Sequence, residues 1–113
     1  MVLKVGEKIH VIVRRVFERD VRRHFIGEVE AVSDVAARVR GYTFLMDKGT
    51  NQFLRRSERT RVISLVDAGN AITVLPPESR IEEARYEYSE KEGMMITDGA
   101  TFQIEINEIG FRA

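Results

Sequence analysis

The chain has no cysteine among its 113 residues, which excludes disulfide bonds and thiolate metal sites. It has no tryptophan, and its two prolines stand together at positions 76 and 77. No apolar run approaches the roughly 20 residues that a membrane-spanning helix needs. The first residues carry charges at positions 4, 7 and 8, where a secretory signal would need an apolar region. We therefore expect a globular cytoplasmic protein that does not enter a membrane.

The formal net charge is zero, but the charges are unevenly distributed along the chain. Residues 1–62 hold 14 Lys/Arg against 8 Asp/Glu, which leaves +6. Residues 63–113 hold 4 against 10, which leaves −6. A basic part and an acidic part in one domain indicate an anionic partner, self-association between opposite charges, or pairing within the chain.

Alternation of apolar and polar residues predicts short strands over residues 8–17, 25–32, 35–46, 51–56, 61–66 and 71–75. Polar turns are predicted between them, including residues 57–59, and Pro76-Pro77 ends the series. Six short strands with frequent turns favour a small barrel over residues 8–75. The fold class is therefore mainly β, with an SH3-like or Sm-like barrel of antiparallel strands and a C-terminal β-hairpin extension over residues 78–109. No boundary divides residues 1–113, which we expect to form a single domain.

Residues 79–91 fit either of two structures. A possible capping box at Ser79 and Glu82 predicts a helix, whereas the alternation of Tyr86 and Tyr88 with polar residues favours a strand, which we prefer. Beyond them, Asp98-Gly99 predicts a type I′ hairpin between residues 94–97 and 101–107.

The first hairpin has a predicted register in which both strands bury their apolar sets. Val11 then lies opposite Val29, and the connecting loop has an odd number of residues, since a slip by one residue would turn every side chain to the other face. The same register places His10 opposite Glu30 on the solvent face.

Residues 27–41, which read GEVEAVSDVAARVRG, resemble the first signature of the Sm-like family: an early Gly, alternating apolar residues, a polar turn and a second apolar strand. The segment RVISL at residues 61–65 is similar to that family's shorter second signature. The RNA-reading Asn of the family is replaced by Ala36-Ala37. The resemblance implies a small barrel, a role in RNA binding, and a ring-shaped homo-oligomer joined through edge strands.

Of the 18 basic residues, 14 are arginines, whose planar groups suit phosphate contacts and base stacking. The arginines between residues 38 and 61, which include Arg59 and Arg61, form a basic cluster in the sequence. Aromatic residues lie between its members, namely Tyr42, Phe44 and Phe53. The alternative is that these arginines solvate the outer faces of strands. The candidate nucleic-acid-binding residues are Arg14, Arg15, Arg22, Arg23, Arg38, Arg40, Arg55, Arg56 and Tyr42.

No spacing of residues indicates a catalytic or metal site. His10 and His24 are the only histidines, and we expect them to be structural or exposed at the surface. The sequence thus predicts a non-enzymatic module without a cofactor that binds RNA or another polyanion as a homo-oligomer. The alternative is a protein-interaction or structural module whose basic and acidic segments mediate self-association.

Overall fold

The computed structural model describes residues 2–15, 17, 19–67 and 69–106, which form two antiparallel sheets. The first sheet contains β1 (Lys8–Val13), β2 (Arg23–Val32), β3 (Ala36–Asp47), β4 (Gln52–Ser64) and β5 (Ala71–Val74). The second contains β6 (Arg85–Ser89), β7 (Gly93–Thr97) and β8 (Gln103–Glu105), and a 3-10 helix (Ile81–Glu83) precedes it. Strands hold 57% of the described residues, so the prediction of a mainly β chain is confirmed.

The strand order of the first sheet is β4-β3-β2-β1-β5, so the last strand returns to pair with the first. β4 and β5 form its two edges and share no ladder within the described residues. The five-stranded sheet is therefore not a closed barrel.

Both faces of the five-stranded sheet are buried over much of its area. On its inner face the core residues are Leu3, Ile9, Val11, Phe25, Val29, Ala37 and Val39. On its outer face the three-stranded sheet and the 3-10 helix complete a second core of Ile26, Phe44, Leu75, Ile81, Ala84, Ile96, Phe102 and Ile106. The C-terminal segment is therefore part of the same packed structure, because it covers apolar residues that β2 and β3 would otherwise expose to water.

β4 is one strand of 13 residues, whereas the sequence predicted two strands and a turn at residues 57–59. Glu58 pairs with Tyr42 of β3, and its carboxylate also forms an ion pair with Arg40. The irregularity lies just before it, where Arg56 and Ser57 together oppose Thr43. Such a bulge bends a strand without ending it, so a polar segment that looked like a turn remains in the ladder.

The first hairpin has a different register from the one predicted. Val11 pairs with Phe25 and His10 with Ile26, and the connection runs over residues 14–22. As expected, the loop has an odd number of residues and the apolar residues of both strands share one face. The residues of β1, however, pair with residues nearer the start of β2 than predicted. Glu30, the predicted partner of His10, instead lies at a bulge between β2 and β3.

The C-terminal predictions are partly confirmed. A 3-10 helix occupies 81–83 and strand β6 follows, so Tyr86 and Tyr88 lie on the predicted strand. The turn after β7 is not type I′, because Thr97 pairs with Gln103 across five residues and Asp98 has no positive φ. The Asp98 carboxylate accepts hydrogen bonds from the backbone N–H groups of residues 80, 100, 101 and 102 and so organises this longer turn.

Gly27 and Gly41 face each other across β2 and β3 at a point of very close approach. A Cβ added to Gly27 would lie 2.6 Å from the Arg40 carbonyl oxygen. One added to Gly41 would overlap the Ile26 carbonyl oxygen and lie 2.5 Å from the Gly27 Cα. These contacts are with backbone atoms, which cannot move aside as a flexible side chain can, so the two strands require glycine at both positions.

We expect Gly41→Ala to lower the free energy of unfolding by about 1–3 kcal/mol, the usual cost of overpacking a well-packed interior. Equilibrium urea unfolding measures this loss. Gly49→Ala is the matched control, because a Cβ at that exposed position would meet only the Asp47 carboxylate, at 3.8 Å. Equal stability of the two variants would contradict the close approach of β2 and β3.

Candidate nucleic-acid interface

An open groove of about 1040 Å³ runs along the inner face of the five-stranded sheet. Its floor includes Val13 of β1, Phe25 of β2 and Leu45 of β3. Its rim is largely β4, which contributes every residue from Arg55 to Ser64 except Glu58. The groove therefore combines an apolar floor with a basic and hydroxyl-rich wall.

The bulge at Arg56 and Ser57 determines which arginines of β4 face this groove. After the bulge, Arg59 pairs with Gly41 and Arg61 with Val39, a residue of the inner core. Because alternate residues of a strand point to opposite faces, both arginines project on the inner side. The Arg61 Nε donates a hydrogen bond to the Thr43 hydroxyl at 3.2 Å, which holds this guanidinium against the groove wall.

The groove holds more positive than negative charge. Arg23, Arg56, Arg59 and Arg61 all line it and are exposed, and its one acidic residue is Asp67. Asp67 already lies 3.9 Å from an Arg14 nitrogen. No ion pair among the described residues joins any of the four groove arginines to a carboxylate. We call these four residues the groove arginines.

Of the nine candidate residues, Arg23, Arg55 and Arg56 line the groove, and the guanidinium of Arg55 is turned toward the Tyr42 ring. Arg59 and Arg61 were in the basic cluster but not among the candidates. Arg59 was expected in a turn at residues 57–59, and Arg61 at the start of the next predicted strand. Had β4 been recognised as one strand, alternation alone would have placed Arg59 and Arg61 on the same face.

Arg55 and three further candidates lie on β3 and β4 with their side chains on the outer side of the sheet. Arg40 forms ion pairs with Glu28, Glu30 and Glu58. The Arg55 guanidinium lies 3.8 Å from the centre of the Tyr42 ring, and it donates a hydrogen bond of 2.6 Å to the Glu82 carbonyl oxygen. Arg38 is exposed on the same side as Arg40, two residues away along β3. Arg38, Arg40 and Tyr42 are thus separated from the groove by the thickness of the sheet, whereas Arg55, on the edge strand, also lines the groove.

The remaining candidates, Arg14, Arg15 and Arg22, belong to the connection between β1 and β2. Arg14 forms the ion pair with Asp67, and Arg15 donates a hydrogen bond of 3.4 Å to the Asp20 carbonyl oxygen. Burial and the nearby charge of Arg15 lower the pKa of Arg22. Arg14 and Arg15 line a second, smaller cleft of about 270 Å³ that shares Val13 and Arg23 with the groove.

A buried cluster on the outer face joins the two sheets through the Tyr86 hydroxyl. His10 Nε2 and His24 Nδ1 both lie 2.8 Å from the Tyr86 Oη. Phe53 stacks on the Tyr86 ring with centroids 4.3 Å apart, and Phe44 contacts the same ring edge-on at 5.0 Å. The histidines are therefore structural, which is one of the two roles expected for them.

The chemistry of this cluster requires neutral groups. The single Tyr86 hydroxyl proton can be donated to one imidazole only, so the other imidazole must donate its N–H to the Tyr86 oxygen. Burial lowers the pKa of His10 to about 4. Burial, followed by the charges of His10 and Arg22, lowers the pKa of His24 to about 3. Burial raises the pKa of Tyr86 well above its ordinary value, so none of the three groups carries a charge at neutral pH.

Within the part of the chain that the structure describes, no three His, Cys, Asp or Glu side chains converge on a point that could hold a metal ion. The same residues include no helix with the length and apolar character needed to span a membrane.

The histidine cluster should make the fold sensitive to acid. Both histidines have a folded-state pKa below the ordinary 6.5, so below that pH the unfolded chain binds protons that the folded chain does not. The free energy of unfolding should therefore fall as the pH decreases from 6.5 to about 4, by about 1.4 kcal/mol per pH unit for each histidine. Urea unfolding across this range tests this, and His24→Gln should remove about half of the slope. A stability that stays constant over the range would contradict the neutral cluster.

Removing the shared hydroxyl should destabilise the contact between the sheets. Tyr86→Phe leaves two buried imidazole nitrogens without their partner, which should cost about 1–3 kcal/mol in the free energy of unfolding. The control is Tyr88→Phe, because Tyr88 lies two residues away on β6 with 71% of its surface exposed. Chemical denaturation of both variants at neutral pH compares them directly, and similar losses would show that the Tyr86 hydroxyl does not join the sheets.

Comparison with known proteins gives no assignment, since no family model, curated protein or solved structure matches the chain. The function is therefore argued from the groove and its charges.

Proposed function

We propose that the protein is a non-enzymatic cytoplasmic module that binds the backbone of single-stranded nucleic acid, RNA in particular, in the groove of the five-stranded sheet. The observation that carries this proposal is that four exposed groove arginines share one concave surface with no carboxylate paired to them in the described chain.

The lining of the groove suits phosphate oxygens. Each arginine offers a planar fork of N–H donors that matches the geometry of phosphate. Ser57, Thr60 and Ser64 add hydroxyls along β4, and Asn70 adds an amide. Arg23 lies on β2, two strands away from β4, and neighbouring strands are about 4.8 Å apart. Because of this separation, Arg23 and the arginines of β4 would contact successive phosphates and not a single one.

The aromatic residues do not contribute to this surface. Phe25 is only 3% exposed at the floor of the groove, and the Tyr42 ring lies beneath Arg55 on the other side of the sheet. Among the described residues that line the groove there is therefore no exposed aromatic ring on which a base could stack, in contrast to many single-strand-binding proteins. Binding should depend on phosphate charge and only weakly on base sequence.

The fold that we propose is a small, incompletely closed barrel of the SH3-like or Sm-like kind. Two observations support it: β5 pairs with β1 at the end of a β1-to-β4 meander, and the signature glycine, Gly27, lies where β2 and β3 approach most closely. Small barrels carry many unrelated functions, so the proposal for nucleic acid depends on the groove and not on this likeness.

A homo-oligomer is also part of the proposal. The outer edges of β4 and β5 pair with no described strand, and both expose apolar side chains, Val62 at 69% and Val74 at 49%. Exposed edges of this kind readily accept a strand from another chain.

Affinity for a single-stranded oligonucleotide should fall steeply as salt rises, because each neutralised phosphate releases counterions. With four groove arginines in contact, the slope of log K against log salt should be roughly −2.8, or about −0.7 per phosphate. Fluorescence anisotropy with labelled RNA and DNA of several sequences measures the slope and any base preference. Absence of binding at low salt would overturn the proposed function.

Two single substitutions locate the interface. Arg59→Ala should weaken binding to all sequences and make the slope shallower by about 0.7. Arg38→Ala removes the same charge from the outer side of β3 and should leave affinity and slope close to those of the unmodified protein. If the two variants lose affinity equally, the phosphates do not lie in the groove.

A further inference from the structure

The C-terminal part of the described chain, which packs on the outer face of the five-stranded sheet, is acidic. Residues 76–106 contain eight Asp/Glu and three Lys/Arg. The exposed carboxylates that we call the C-terminal acidic surface belong to Glu82, Glu83, Glu87, Glu90 and Glu105. Among them, only Glu87 forms an ion pair in the described chain, with Arg85 at 2.7 Å.

No ion pair in the described chain joins these carboxylates to the groove arginines. The 3-10 helix and the three-stranded sheet pack on the outer core through Ile81, Ala84 and Ile96. The groove opens on the inner face, above Val13 and Phe25. The five-stranded sheet therefore lies between two exposed surfaces of opposite charge in a chain whose net charge is zero.

We propose that the groove of one copy binds the C-terminal acidic surface of a second copy. The occupant is another copy of this chain because it carries carboxylates that complement the four groove arginines in sign and approximate number. The contact joins two different surfaces, so it is head-to-tail, and each dimer would leave one groove and one acidic surface available for further copies.

The contact also regulates the groove, and this consequence rests on the proposed function. Carboxylates of a second copy and phosphates of a nucleic acid require the same guanidinium groups. Self-association and nucleic-acid binding should therefore exclude each other, so that a bound oligonucleotide releases copies from the assembly. Both processes should weaken with salt, because the Debye length falls from about 10 Å at 0.1 M to about 3 Å at 1 M.

A charge-swap experiment tests the contact with the full chain. Arg56→Glu/Arg59→Glu makes the groove less basic, and Glu82→Lys/Glu83→Lys makes the acidic surface less acidic. Sedimentation velocity at low salt should show the unmodified protein above its monomer mass of 13.0 kDa. At low salt each variant alone should sediment with a lower mass than the unmodified protein, whereas an equimolar mixture should associate, because the intact acidic surface of the groove variant can bind the intact groove of the other variant. Arg38→Glu is the control on the outer side and should associate like the unmodified protein, and circular dichroism checks that every variant is folded.

The outcomes separate this inference from the proposed function. A monomer at every concentration and at low salt would overturn self-docking, and so would an assembly whose mass is the same at about 0.1 M and about 1 M salt, because strand-edge pairing alone would then join the copies. Failure of the mixed variants to associate would do the same. The Glu82→Lys/Glu83→Lys variant retains its groove, so it should bind the RNA oligonucleotide at least as tightly as the unmodified protein. Loss of oligonucleotide binding with intact self-association would overturn the proposed function alone.

Discussion

Burial of both faces of β1 and β2 is the constraint on which the rest of the structure depends. Ile9 and Val11 face one core, while His10 between them is only 1% exposed and faces the other. A five-stranded sheet alone would leave the second face open to water. The C-terminal segment covers it, and the Tyr86 hydroxyl gives each of the two buried imidazoles a hydrogen-bond partner at 2.8 Å. A buried polar group without such a partner would be costly.

The same two-sided burial explains how much of the fold could be read from the sequence. Alternation identified β2, β3 and β5 closely and the start of β1, because each has one strongly apolar face, but it extended β1 to residue 17 whereas the strand ends at Val13. It could not show that the opposite face is also covered, since His10 looks like a solvent-facing residue until the distant Tyr86 is placed against it. It also divided β4 into two strands, because the polar residues 57–59 carry the signal of a turn and only their pairing with β3 keeps them extended.

The sequence predicted that the site would be a basic surface, but it did not predict which arginines form it. Arginine content and charge asymmetry indicated a basic surface, yet a list of nearby arginines contains residues from both sides of the sheet. Arg40 and Arg56 were equivalent in the sequence, but Arg40 lies among three glutamates and Arg56 lines the groove. Which arginines act together depends on strand pairing and on two bulges, and these are set by tertiary contacts and not by local composition.

The bulge at Arg56 and Ser57 determines where β4 can lose a residue without changing which arginines face the groove. A residue lost from β4 before Arg59, other than at the bulge, would turn Arg59 and Arg61 to the other face of the sheet and carry them out of the groove. Loss of Ser57 would leave a regular ladder in which Arg56 alone opposes Thr43 and Glu58 still pairs with Tyr42. The bulge is therefore the place in β4 where a deletion preserves the orientation of the charges, and a sequence alignment of related chains should place its single-residue gap there.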